Sequence, residues 1–88
     1  MRIKEGYNLV DRSGQWVVVA EKGAEPLNNM IALTGTSVFL WNLLKEKEVT
    51  KTEMLNALLE NFEISTVLAL GNIDVFVRTM RENGIVKE

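Results

Sequence analysis

The residues able to do covalent chemistry are few, and the gaps among them are informative. The chain has no cysteine and no histidine. Thiol nucleophiles, imidazole bases, disulfides and nearly every zinc or haem site are therefore ruled out together. Serine, threonine, lysine and twelve carboxylate residues remain, with neither imidazole nor thiol to activate a nucleophile. Glu46 with Glu48 and Glu60 with Glu63 are the closest carboxylate pairs, and both fall in charged breaks or on exposed helix positions. They read as solvated surface, not as acid–base dyads. No Asp-rich loop suits a hard cation. The glycines at 6, 14, 23, 35, 71 and 84 are too scattered for a phosphate-cradling loop. The expectation is a binding module that has no cofactor and catalyses nothing.

Charge decides which class of partner fits. The net charge is −2, and the local balance is no more favourable to nucleic acid. From Ser65 to the end, Arg78, Arg81 and Lys87 face Asp74, Glu82 and Glu88; between Gly35 and Ile64, three lysines face five glutamates. Phosphate neutralisation needs a basic face, and none is collected, so nucleic acid is not the expected ligand. No stretch has the length of a membrane span, and Met1 to Gly6 lacks the apolar core of a secretion signal. The expected compartment is the cytoplasm.

The elements that must position a binding surface follow from two periods. At 88 residues the chain has room for one domain, spanning 1–88, in which roughly 60% of the unfolded surface can be buried. Tyr7 to Val10, the turn-rich Asp11-Arg12-Ser13-Gly14 and Gln15 to Ala20 predict a β-hairpin. Both faces of the second strand are apolar, which predicts cover on both sides or contact with another chain. After a loop containing Gly23 and Pro26, Asn29 to Leu33 predicts a third, short strand at the sheet edge. The period then becomes 3.6. Thr34 is the expected cap of a helix bearing Ser37, Leu40, Trp41 and Leu44. Thr50-Lys51-Thr52-Glu53 fits a capping box ahead of Met54, Leu55, Leu58, Leu59 and Phe62. Ser65 caps the last helix, whose core stripe is Ala69, Leu70, Ile73, Phe76, Val77 and Met80, and Gly84 ends it. Ile85 and Val86 tuck back against the core. The fold class is α+β, a winged-helix-like domain with a three-stranded antiparallel sheet followed by three helices.

Two features of this arrangement point to a ligand. An edge strand at Asn29, Met30, Ile31, Ala32 and Leu33 offers backbone donors and acceptors to an extended peptide. On the last helix, Leu68 and Val75 lie nearly opposite the core stripe and could wall a groove beside that edge. Arg78 and Arg81 could meet acidic residues of the peptide. The same residues admit two other readings: an ordinary buried strand with scattered surface apolars, or a homodimer seam. A winged helix that binds DNA is the alternative from another class.

The ordered set of motifs resembles the PqqD family, also called the RiPP recognition element. It is carried by Lys4-Glu5-Gly6-Tyr7 with Leu9-Val10, by Gly14-x-Trp16-Val17-Val18-Val19, and by Leu33-Thr34-x-Thr36. Leu40-Trp41-x-Leu43-Leu44, Thr52-Glu53-x-Leu55, Leu58-Leu59-x-x-Phe62 and the closing Gly84-Ile85-Val86 complete it. The resemblance implies a non-catalytic protein that binds the leader of a ribosomally made precursor peptide. The leader would dock as an added strand against the third strand, beside the last helix. A modifying enzyme, often a radical SAM protein, would be the second partner; in the founding pathway the product is pyrroloquinoline quinone. Family members usually open the last helix with acidic residues and carry an aspartate in its first half. Here Ser65-Thr66-Val67-Leu68 and Asn72 occupy those places, which implies a less polar partner surface.

Overall fold

The computed structural model describes all residues from Met1 to Glu88. Its elements are β1 (Arg2–Ile3), β2 (Tyr7–Arg12), β3 (Gln15–Ala20), β4 (Ala32–Leu33), α1 (Thr36–Glu46), α2 (Lys51–Asn61), α3 (Thr66–Glu82) and β5 (Val86–Lys87). A three-stranded antiparallel sheet in the order β2-β3-β4 precedes three helices, the α+β arrangement expected from the sequence.

The β2–β3 hairpin closes on the pair Arg12–Gln15. Its two turn residues, Ser13 and Gly14, have φ of 56° and 83°, the double left-handed geometry that matches strand twist. Serine tolerates that conformation poorly, and the Gly14 N–H donating to Asp11 Oδ1 at 2.9 Å helps to hold it. The last two helices start where their caps predict. Thr50 Oγ1 accepts from the Glu53 N–H at 3.1 Å while Glu53 Oε1 accepts from the Thr50 N–H at 2.9 Å. Ser65 Oγ accepts from the Leu68 N–H at 3.2 Å.

One cluster of 18 buried residues joins the sheet to all three helices. Leu40, Trp41 and Leu44 of α1, Met54 and Leu58 of α2, and Ala69, Ile73, Phe76, Val77 and Met80 of α3 supply its centre. Leu70, assigned to the same stripe, is only half-buried. No helix is long and apolar enough to cross a membrane.

Three details differ from the sequence expectation. The strand expected over Asn29–Leu33 is reduced to Ala32–Leu33: Asn28 and Asn29 bend after Pro26, and Met30 and Ile31 precede the first strand residue. Thr34 does not cap α1: the N-cap is Gly35 at φ 52°, and no side chain bonds to the helix start. A second, two-stranded sheet pairs β1 with β5, in the register Arg2–Lys87 and Ile3–Val86. The Lys4 N–H donates to the Ile85 carbonyl at 2.8 Å beside it. Ile85 and Val86 are thus buried as expected, but no sequence pattern marks the chain start as the segment that holds them there.

Candidate peptide-binding edge

The free edge of the sheet is set by hydrogen-bond phase. In an antiparallel ladder, opposing residues alternate between pairs that exchange backbone bonds and pairs that do not. The Val18 N–H donates to the Ile31 carbonyl at 2.9 Å, and β4 pairs Trp16 with Leu33 and Val17 with Ala32. Val17–Ala32 is therefore the pair between two bonded ones. The N–H and C=O of Ala32 point away from β3, where the sheet has no further strand. Side chains alternate in the same register. Ile31 and Leu33 are buried in the core, whereas Ala32 is exposed and Met30 is 75% exposed. Of the five residues singled out on this edge, two hold it to the core and Ala32 offers the ladder.

The opposite edge is guarded. There the Glu21 N–H donates to the Gly6 carbonyl at 2.7 Å, which by the same alternation turns the backbone groups of Tyr7, Leu9 and Asp11 outward. Lys45 of α1 donates from Nζ to the Tyr7 carbonyl at 2.6 Å, and Asp11 and Arg12 charge the far end. Charged side chains of this kind deter strand addition. Nothing similar protects β4, since no residue from Pro26 to Leu44 carries a charge.

Second-face cover of the hairpin is partial. Val17 is buried although it lies outside the main cluster, while Val10 and Val19 on that face are half-buried. Trp16 lies directly across from Leu33 at the open end of the core face, 41% exposed. An exposed indole beside a free strand edge is a ready apolar anchor. Alternation puts Trp16 on the core face, but nothing in the sequence says that cover stops before the strand does.

Helix α3 presents two different flanks. Leu68 and Val75 are 62% and 53% exposed, as their angular position predicts. Asn72 and Thr79 share that side at about 100° per residue and are half-buried. They sit between the exposed pair and buried Phe76. The spacing Leu68, Asn72, Val75, Thr79 is present in the sequence, but two of the four are polar, so an apolar pattern does not reveal the row.

Arg78 and Arg81 do not join this flank. Arg81 donates from Nε and one terminal nitrogen to the two carboxylate oxygens of Glu88, at 2.6 and 2.7 Å. Those bonds, and secondarily the guanidinium charge, hold the Glu88 carboxyl below its usual range. Both arginines rim a cavity of about 400 Å³ between α3 and the start of α2, floored by Val49, Met54 and Val77. The Lys51–Asp74 ion pair, at 2.6 Å, also lies on that side. The structure thus separates the predicted residues into an edge, an apolar flank of α3 and a charged face toward α2.

Comparison with known proteins agrees with this architecture. A solved structure described as "TbiB1 in Complex with the TbiA(beta) Leader Peptide" superposes with a TM-score of 0.72, covering 99% of this chain and 95% of that one at 14% identity. At that identity the likeness is one of fold. No protein of curated function matches the chain. The family model for Coenzyme PQQ synthesis protein D (PqqD) matches residues 15–86, from the start of β3 into β5, and the chain belongs to the PqqD family.

Proposed function

We propose that the protein binds the leader segment of a ribosomally made precursor peptide as an added strand on β4 and presents it to a modifying enzyme, catalysing nothing itself. The observation that carries this reading is the outward-facing backbone of Ala32 on an edge with no charged guard. Main-chain bonds supply affinity in strand addition, and pockets for alternate side chains supply selectivity. In this reading Asn29 to Leu33 form the edge, and Leu68 and Val75, with Asn72 and Thr79, form the helix flank. Trp16 and Met30 add exposed apolar surface beside the ladder. Arg78 and Arg81 face α2 and stand outside the groove. Membership of the PqqD family supports a peptide ligand, as does a related fold solved with a leader peptide. A ribosomally made precursor implies that binding occurs in the cytoplasm, and the enzyme it meets is of the radical SAM type common to such systems. The absence of a basic face leaves the DNA-binding alternative without support.

An amide NMR titration of the labelled protein tests this, using the leader of a short peptide encoded beside its gene. The expected result is a set of shifts at Met30 to Leu33 and at Leu68, Asn72, Val75 and Thr79. Shifts confined to the cavity between α2 and α3, or none with any neighbouring leader, would overturn the assignment.

A further inference from the structure

The β4 edge and the α3 row beside it are both free of charge. No residue from Pro26 to Leu44 is charged, and Leu68, Asn72, Val75 and Thr79 are neutral as well. The charges that flank these segments are engaged or turned elsewhere. Lys45 donates to the Tyr7 carbonyl at the opposite edge, Asp74 pairs with Lys51, and Arg81 pairs with Glu88. Arg78 and Glu82 line the cavity toward α2. Nor does the fold hold a polar group in reserve, since no buried side-chain nitrogen or oxygen lacks a partner.

The register of β4 says which side chains of an added strand meet this neutral surface. Ala32 turns its N–H and C=O outward. In an added strand of either direction, the residue level with Ala32 shares its exposed face, and the residues before and after it turn to the core face. There they come alongside Ile31 and Leu33, both buried. Half-exposed Trp16 is next in the row beyond Leu33.

We infer that the leader segment on β4 carries two apolar side chains two residues apart, that neither of those positions accepts a charge of either sign, and that the residue between them is unrestricted. This names the class of leader taken by the site and rests on strand addition at β4. The physical reason is exclusion. A carboxylate or ammonium at either core-facing position gives up water and meets aliphatic, indole and amide groups with no counter-charge. Acidic and basic side chains are therefore rejected alike, and that rejection contributes to selectivity together with the apolar contact. Long-range attraction plays no part, so salt leaves the affinity unchanged.

The test uses synthetic copies of the leader encoded beside the gene, each with one residue replaced by Asp or by Lys. Each is titrated by calorimetry at low and high sodium chloride, and amide shifts at Met30 to Leu33 locate the bound peptide. Two positions separated by one should each lose about tenfold or more in affinity with Asp and with Lys alike. The position between them should tolerate both, and the parent leader should change less than about twofold with salt. Val75→Arg should weaken the parent leader yet bind an Asp copy better than the unaltered protein does, because the guanidinium supplies the missing partner. A leader that binds on β4 but gains from one sign of charge, or weakens about tenfold in high salt, overturns the neutral-leader assignment and leaves strand addition standing. Losses at consecutive positions overturn the alternation of faces, and a Val75→Arg variant indifferent to the Asp copies removes α3 from those positions. A leader that shifts no β4 amide overturns strand addition and this assignment together.

Discussion

Ala32→Pro isolates the backbone of β4 from its side chains. Proline removes one N–H, and at position 32 that N–H is not used by the fold: the bonds holding β4 come from the pairs on either side. The site suits proline in other respects. It is an exposed position on an edge strand, where proline is tolerated, and the preceding Ile31, whose carbonyl accepts from the Val18 N–H, lies outside any helix, as the residue before proline prefers. Folding should therefore change by less than about 1 kcal/mol, the usual range for an exposed site without special geometry. Leader binding should change far more. The lost bond contributes about 1 kcal/mol net, and the leader carbonyl left without a donor adds roughly 1–2 kcal/mol. A total of about 2–3 kcal/mol corresponds to a Kd roughly 30- to 150-fold weaker. Isothermal titration with a leader peptide gives the affinity, and a thermal melt of the same samples gives the stability. N-methylation scanned along the leader should find one position with a comparable loss, where its N–H reaches the Ala32 carbonyl. Equal affinity for Ala32→Pro and the parent, with both folded, would falsify strand addition on this edge. A variant that unfolds would refute the hydrogen-bond phase from which the argument starts.

Other consequences follow from the core, the caps and the titrating groups. Leu44→Ala, at a fully buried position of α1, should cost about 2–5 kcal/mol in urea denaturation, a large share of what a domain this size has. A loss below about 1 kcal/mol would mean that α1 is not packed as described. Thr50→Ala removes the acceptor for the Glu53 N–H and should lower stability by about 1 kcal/mol, with Thr50→Ser restoring most of it. Val75→Glu should weaken leader binding by about 1–3 kcal/mol without lowering the melting temperature; unchanged affinity would remove α3 from the groove. Glu53 is held below its ordinary value of 4.5, chiefly by the Thr50 backbone N–H and then by the Thr50 side chain. A folded-state value that is depressed stabilises fully above the unfolded value and is lost as pH falls through the folded one. Melting temperature should thus fall below about pH 4.5, and less steeply in Glu53→Gln, which keeps the capping geometry. Identical slopes would show that this carboxylate is not linked to folding.

Much of this molecule is specified by local chemistry and can be read along the chain. The Ser13-Gly14 turn, the Thr50–Glu53 box, the Ser65 cap and the buried stripe of α3 each follow from residues within a few positions of one another. Period and capping are short-range physics, and they settle the class of fold together with the exposure of Leu68 and Val75. The absence of cysteine and histidine likewise narrows the function by composition alone. Other features arise only when distant segments meet. The β1–β5 pair joins residues separated by most of the chain, and two-residue strands have no period to read. The guard on the opposite edge depends on Lys45 reaching Tyr7, and the separation of Arg81 from the apolar flank depends on Glu88 returning to α3. Above all, which backbone groups of β4 are free is a matter of register. A shift of one residue would turn Ala32 inward and Ile31 outward, and composition is blind to that shift because the same residues occur in either case.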